Sequence, residues 1–173
     1  SGFSATSNVA TSETFNHLTV DQGNAVNRTI TSGDTLIVLG TFTHTNGAIV
    51  TGTVEARGAV VIGAGADGGD GTIKVTSAGD QTIAGNGAST CSLQVSKSSG
   101  TLSLGTTNLS LYHLTIDAAN TLVSTSGTLT VRVNWTNTAG GTFTHNNGTV
   151  NLGGNSGFSA TSNVATSETF NHL

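Results

Sequence analysis

The chain of 173 residues contains no proline and no methionine. Without proline, every strand can donate a complete ladder of backbone N–H groups to its neighbours. Without methionine, the sequence does not start at an initiation codon, and it is expected to be a window on a longer polypeptide. A single cysteine, Cys91, provides no intrachain disulfide framework and is expected to be a buried, inert thiol. Aromatic residues are scarce, with six Phe, one Tyr and one Trp, so the core must come mainly from Val, Ile, Leu and Ala. Charged residues make up 8% of the chain, against a usual share of about 25%. The nine acidic and five basic residues give a formal net charge of −4 and are scattered. No basic stripe is present to track phosphates, so nucleic acid is not expected as a partner. No uninterrupted apolar run of about eighteen residues occurs, so no membrane-spanning helix is expected in this segment.

What is abundant is Gly, Thr, Ser and Asn, arranged around short aliphatic runs. "HLTVD" at 17–21, "TLIVLG" at 35–40, "TIKVT" at 72–76 and "SLQVS" at 92–96 each place Leu, Ile or Val at every second position. "TLSLG" at 101–105, "TLTVRVNW" at 128–135 and "TVNLGG" at 149–154 do the same. That is the period of a strand with one buried face. Turn signals such as "TSGD", "TNG" and "NNG" separate the runs. An all-β protein follows. Its inward residues are expected to be Leu18, Val20, Leu36, Val38, Ile73, Val75, Leu93, Val95, Leu102, Leu104, Leu114, Ile116, Leu129, Val131, Val150 and Leu152.

The sequence also repeats. "SGFSATSNVATSETFNHL" occupies Ser1–Leu18 and again Ser156–Leu173. Residues 1–155 therefore read as one full tandem unit, and 156–173 as the start of the next. Identity extends to positions expected to be exposed, Asn8, Glu13 and His17, which structural need alone would not preserve. The two copies are expected to share one conformation, displaced along the axis by roughly 34–38 Å for seven or eight coils. Shorter echoes lie inside the unit: "FNHLTVD" at 15–21 with "LYHLTID" at 111–117, and "GTFTHTNG" at 40–47 with "GTFTHNNG" at 141–148. Leu18, Leu93, Leu114 and Leu173 are separated by 75, 21 and 59 residues, near multiples of about 19, the size of a solenoid coil. These leucines are expected to be equivalent, with Leu93 directly above or below Leu114.

The short L-x-V strands between Gly/Asn turns, together with "NWTN…GTFTHNNGTVNLGG", resemble the repeats of bacterial and archaeal surface proteins of the β-solenoid kind. The resemblance implies a secreted, cell-surface or fibre-forming protein, and it brings no residue-level site with it. Physics points to the same fold, because one coil cannot bury its own apolar face while stacked coils pool theirs into a common core. The expected architecture is an all-β parallel β-solenoid with coils of about 19–21 residues. The alternative is a tandem immunoglobulin-like β-sandwich, whose domains of about 100 residues fit the shorter sub-repeats badly.

Candidate chemistry is sparse. His17, His113 and His172 recur in "HL", and His44 and His145 in "TFTH", but no metal-ligand spacing accompanies them. The parity that buries Leu18 turns His17 outward, and all five histidines are expected to be exposed. "GAGADGGDG" at 63–71 resembles part of a calcium-binding nonapeptide, with Asp67 and Asp70 as weak calcium candidates. A single copy per unit favours a flexible loop leaving the solenoid instead. The remaining acids are spread along the unit without an aromatic platform, so no catalytic residue, no cofactor and no resident metal are expected. Thr-x-Thr triplets occur but not at coil spacing, which counts against an ice-binding ladder. Sequons at Asn27, Asn108, Asn134 and Asn147 are as many as chance supplies.

The expected function is that of a structural repeat unit in a long extracellular filament or cell-surface stalk. The alternative is an adhesin or binding module that presents a ligand-binding face. The expected partners are the preceding and following identical repeats along the fibre axis, with lateral self-association as a further possibility.

Overall fold

The computed structural model describes residues 12–22, 27–85, 89–153, 161–164 (backbone only there) and 168–173. Among them every regular element is a strand, and every strand pairing is parallel. The chain winds through about six turns of a β-solenoid. Antiparallel sandwich packing is thereby excluded for this segment.

Each coil crosses three faces in turn. The first face stacks strands Leu18–Asp21, Gln81–Gly85, Thr101–Ser103, Thr121–Val123 and Thr142–Thr144 with the opening halves of Phe42–Thr51 and Val60–Gly68. The second stacks Asn27–Thr29, Ser89–Thr90 and Thr149–Leu152 with the closing halves of those two long strands and the opening halves of Leu109–Ile116 and Thr128–Asn137. The third stacks Ser12–Phe15, Thr35–Val38, Thr53–Ala56, Thr72–Val75, Ser92–Val95, the closing halves of the last two long strands, and Thr161–Val164. Long strands bend from one face to the next through register shifts, as at Leu111/His113 and His44/Asn46. Such bulges turn a strand without breaking its ladder for more than a residue.

Register converts the alternation of the sequence into columns. On the third face Leu36, Val54, Ile73, Leu93, Leu114 and Trp135 form one inward ladder, at steps of 18, 19, 20, 21 and 21 residues. Val38, Ala56, Val75, Val95 and Ile116 form the adjacent one. Leu93 and Leu114 are direct parallel partners, as their spacing predicted. All sixteen predicted inward residues lie in the core or pack against it, with Leu18, Val20, Leu36 and Leu152 only partly buried. Each well-buried aliphatic side chain contributes about 1.5–3 kcal/mol of transfer free energy.

Three expectations are corrected. Leu18 is not equivalent to Leu93 and Leu114; it pairs with Phe42 on the first face, because the segment from 22 to 34 is long enough to hold a strand of its own. Leu173 is 76% exposed and belongs to no inward ladder. The stretch 63–71 is no loop: strand Val60–Gly68 runs through most of it. Its glycines reflect crowding, since a Cβ at Gly63 would lie 2.8 Å from the Thr45 carbonyl oxygen and one at Gly71 2.7 Å from Ile49 Cγ2.

Cys91 is fully buried, as the composition suggested. Burial pushes its thiol up to about 11, against a smaller opposing effect of the Thr90 hydroxyl. The thiolate is the reactive form, so a disulfide reagent at neutral pH should label Cys91 only after denaturation. Rapid labelling of the folded chain would contradict this burial.

Candidate functional site

Outward columns are as regular as inward ones. Ser12, Thr35, Thr53, Thr72 and Ser92 stand in register on the third face, Ser92 itself being buried. Beside them run Thr14, Ile37, Glu55, Lys74 and Gln94. Burial raises the affinity of Glu55 for its proton, but hydrogen bonds from Arg57 (2.7 Å) and Thr76 (3.0 Å) and the Arg57 and Lys74 charges outweigh it, and its carboxyl is held below the ordinary range.

On the first face, Thr101, Thr121 and Thr142 form one column, and Ser103, Val123 and Thr144 the next. Thr82 continues the second column. No charged side chain interrupts these three strands. Hydroxyl and methyl groups thus repeat at about 4.8 Å along uncharged strands. A search for strict Thr-x-Thr triplets misses this array, because the recurring signal is Thr-[Leu/Phe]-x at steps of 20 and 21 residues.

A polar cluster fills the corner between the third and first faces. The Lys97 ammonium donates to the Ser77 carbonyl (3.0 Å), to Gln81 Oε1 (2.9 Å) and to the Ser77 hydroxyl (3.3 Å). Gln81 Nε2 donates in turn to the carbonyls of Ala56 (3.0 Å) and Gly58 (2.5 Å). The Lys97 backbone N–H donates to Asn120 Oδ1 at 2.5 Å. Burial lowers the Lys97 pKa, partly offset by the Asp80 charge. The cluster ties several successive coils together.

The predicted exposure of the histidines holds for His17 and His172 and fails for His44. His44 shares the inward parity of Phe42, is fully buried, and its Nε2 hydrogen-bonds the Gly47 carbonyl at 2.7 Å. His113 and His145 are half-buried. Asp67 and Asp70 are both exposed, Asp67 on its strand opposite Ser89 and Asp70 just beyond its end. No group of three or more His, Cys, Asp or Glu converges among the described residues.

Burial lowers the pKa of His44 and outweighs the Gly47 carbonyl and the Asp67 charge, both of which raise it. The unfolded chain therefore takes up a proton near the ordinary value of about 6.5, and the folded chain only at lower pH. Stability should be intact above that value and fall as pH drops through it toward the folded pKa. Urea midpoints between neutral and acid pH should decline less in His44→Gln than in the parent chain. Equal declines would contradict the assignment.

The repeated segment meets the solenoid at both ends. In the first copy, Phe15 O accepts from Leu39 N (2.9 Å), Asn16 O from Gly40 N (2.6 Å) and His17 Nδ1 from Thr41 N (2.8 Å). In the second copy, His172 O accepts from Val150 N (2.9 Å) and Asn171 Nδ2 donates to Asn147 O (2.8 Å). Residues 1–11 of the first copy and 156–160 and 165–167 of the second lie outside the described residues. Where both are described they differ, against the expectation of one shared conformation: Ser12–Phe15 is a strand and residues 168–170 are not. The physical reason is that the first copy pairs with the coil that follows it and the second with the coil that precedes it.

No protein-family model matches the chain, and comparisons with curated proteins and with solved structures give no significant match.

Proposed function

We propose that this chain is a structural repeat unit of a long extracellular filament or cell-surface stalk, and that it performs no catalysis. The observation that carries the proposal is one identical eighteen-residue segment at both ends of a parallel solenoid. A solenoid grows by adding coils, each of which covers the apolar end of the one before, so repetition of a whole unit lengthens it without a new fold. Open coil ends expose unpaired strand edges, and continuation into an identical unit protects them from aggregation. The scarcity of charge and the regular uncharged columns suit a passive wall or stalk, and lateral packing between such walls. Antibodies raised against the chain should decorate filaments or stalks outside the cell in electron micrographs. Labelling confined to the cell interior would overturn the proposal.

One observation favours a second reading as a binding module of the adhesin kind. The hydroxyl-bearing columns of the first face repeat a single chemical motif along the axis, as a surface for a repetitive ligand would. Glycan-array binding that disappears in Thr101→Lys and Thr121→Lys variants would support it, and a blank array would remove it.

A further inference from the structure

We propose that the end of the solenoid built by Trp135, Phe143 and Val150 is a docking site for the segment Glu13–Leu18 of a second copy of this chain. The occupant is already visible as a chemical type, because the chain's own Glu168–Leu173 sits there and has the same sequence. The Phe170 ring meets Trp135 edge-on with centroids 5.5 Å apart and lies 5.7 Å from Phe143, which itself meets Trp135 at 4.8 Å. Backbone and amide contacts fix the register: Val150 N to His172 O, Asn171 Nδ2 to Asn147 O, and Asn137 Nδ2 to Glu168 Oε1. A receptor that recognises Glu168, Phe170, Asn171 and His172 must also recognise Glu13, Phe15, Asn16 and His17.

Two features make exchange between copies feasible. The resident segment is lightly held, with Phe170 only partly buried and no regular strand over residues 168–170. The incoming segment keeps suitable groups free of burial while seated on its own solenoid. At home Glu13–Phe15 lies in a parallel ladder against Leu36–Val38, and the Phe15 and Asn16 carbonyls and His17 Nδ1 accept further hydrogen bonds, whereas the Glu13 and Asn16 side chains remain exposed and Phe15 half-exposed. The carboxylate, amide and ring used at the Trp135 end are thus different groups from those that hold the segment at home. An end-to-end joint between copies follows from one sequence that fits both ends.

The biological use of such a joint rests on the repeat-unit reading, but docking can be tested apart from it. Trp135 is the only tryptophan, so its emission reports the site. In the full chain carrying Phe170→Ala, Trp135 should become solvated and its emission red-shifted. Titration with a free peptide of sequence Ser1–Leu18 should reverse that shift saturably. The same peptide with Phe15→Ala should bind at least about tenfold more weakly. Absence of any saturable change, with far-UV circular dichroism unaltered, would overturn the proposal. Should Phe170→Ala unfold the end coil, Asn171→Ala serves as host and the anisotropy of a labelled peptide as readout; no binding there overturns the proposal equally. A native polypeptide of only one unit would remove the filament reading and leave this result standing.

Discussion

Replacement of Leu114 by Ala is expected to lower the unfolding free energy by about 2–5 kcal/mol, the range for truncating a fully buried leucine. Leu114 is inaccessible to solvent and stacked between Leu93 on one coil and Trp135 on the next. A void there is bounded by backbone ladders on both sides, which cannot close in without breaking parallel hydrogen bonds. Part of the loss could be confined to neighbouring coils, because stability in a stacked array is a sum of local and nearest-neighbour terms. The outward neighbour Thr115 provides the control. Thr115→Ala should change stability by no more than about 0.5 kcal/mol, as surface substitutions usually do. Urea unfolding of both variants checks the pair, and equal losses would mean that the inward ladder is wrongly assigned.

Gly69→Ala is expected to cost as much by a different route. Gly69 has φ +109°, a region closed to side chains, and its Cβ would collide with the Ile49 carbonyl of the preceding coil. Backbone strain of about 1–3 kcal/mol and overpacking of about 1–3 kcal/mol add to roughly 2–6 kcal/mol. Gly33 separates the two contributions. It has φ +92° with open space around it, so Gly33→Ala should carry the strain alone, about 1–2 kcal/mol. Thermal melts of the two variants measure the difference. A Gly69→Ala chain as stable as Gly33→Ala would contradict the close approach of coils at Ile49.

These sites also mark what could be read in advance. The ladder through Leu93 and Leu114 was legible because alternation gives the inward parity and a 21-residue step gives the coil. Leu18 shows the limit. Its local pattern matches theirs, but the face on which a strand lands depends on how many residues each corner consumes, and corners follow no fixed count. The burial of His44 carried a usable signal, since residues two apart on a strand share a face and Phe42 points inward. His17 was a poor guide to it because His17 is one residue from the inward-facing Leu18, whereas His44 is two residues from the inward-facing Phe42. The glycines at 63–71 looked like a loop because crowding against a preceding coil leaves no mark in one sequence stretch. Lys97, Gln81 and Asn120 were invisible for the same reason: their cluster forms only when separate coils are stacked. The hydroxyl columns were hidden by steps of 18 to 21 residues that no fixed-period search follows.

The central claim, that this chain is one unit of a longer repeating polypeptide, is tested most directly by the intact mass of the native polypeptide under denaturing conditions. The expected result is a mass well above 17.2 kDa, with partial proteolysis at unit boundaries giving a ladder whose rungs differ by one 155-residue unit. A single species near 17.2 kDa would contradict it.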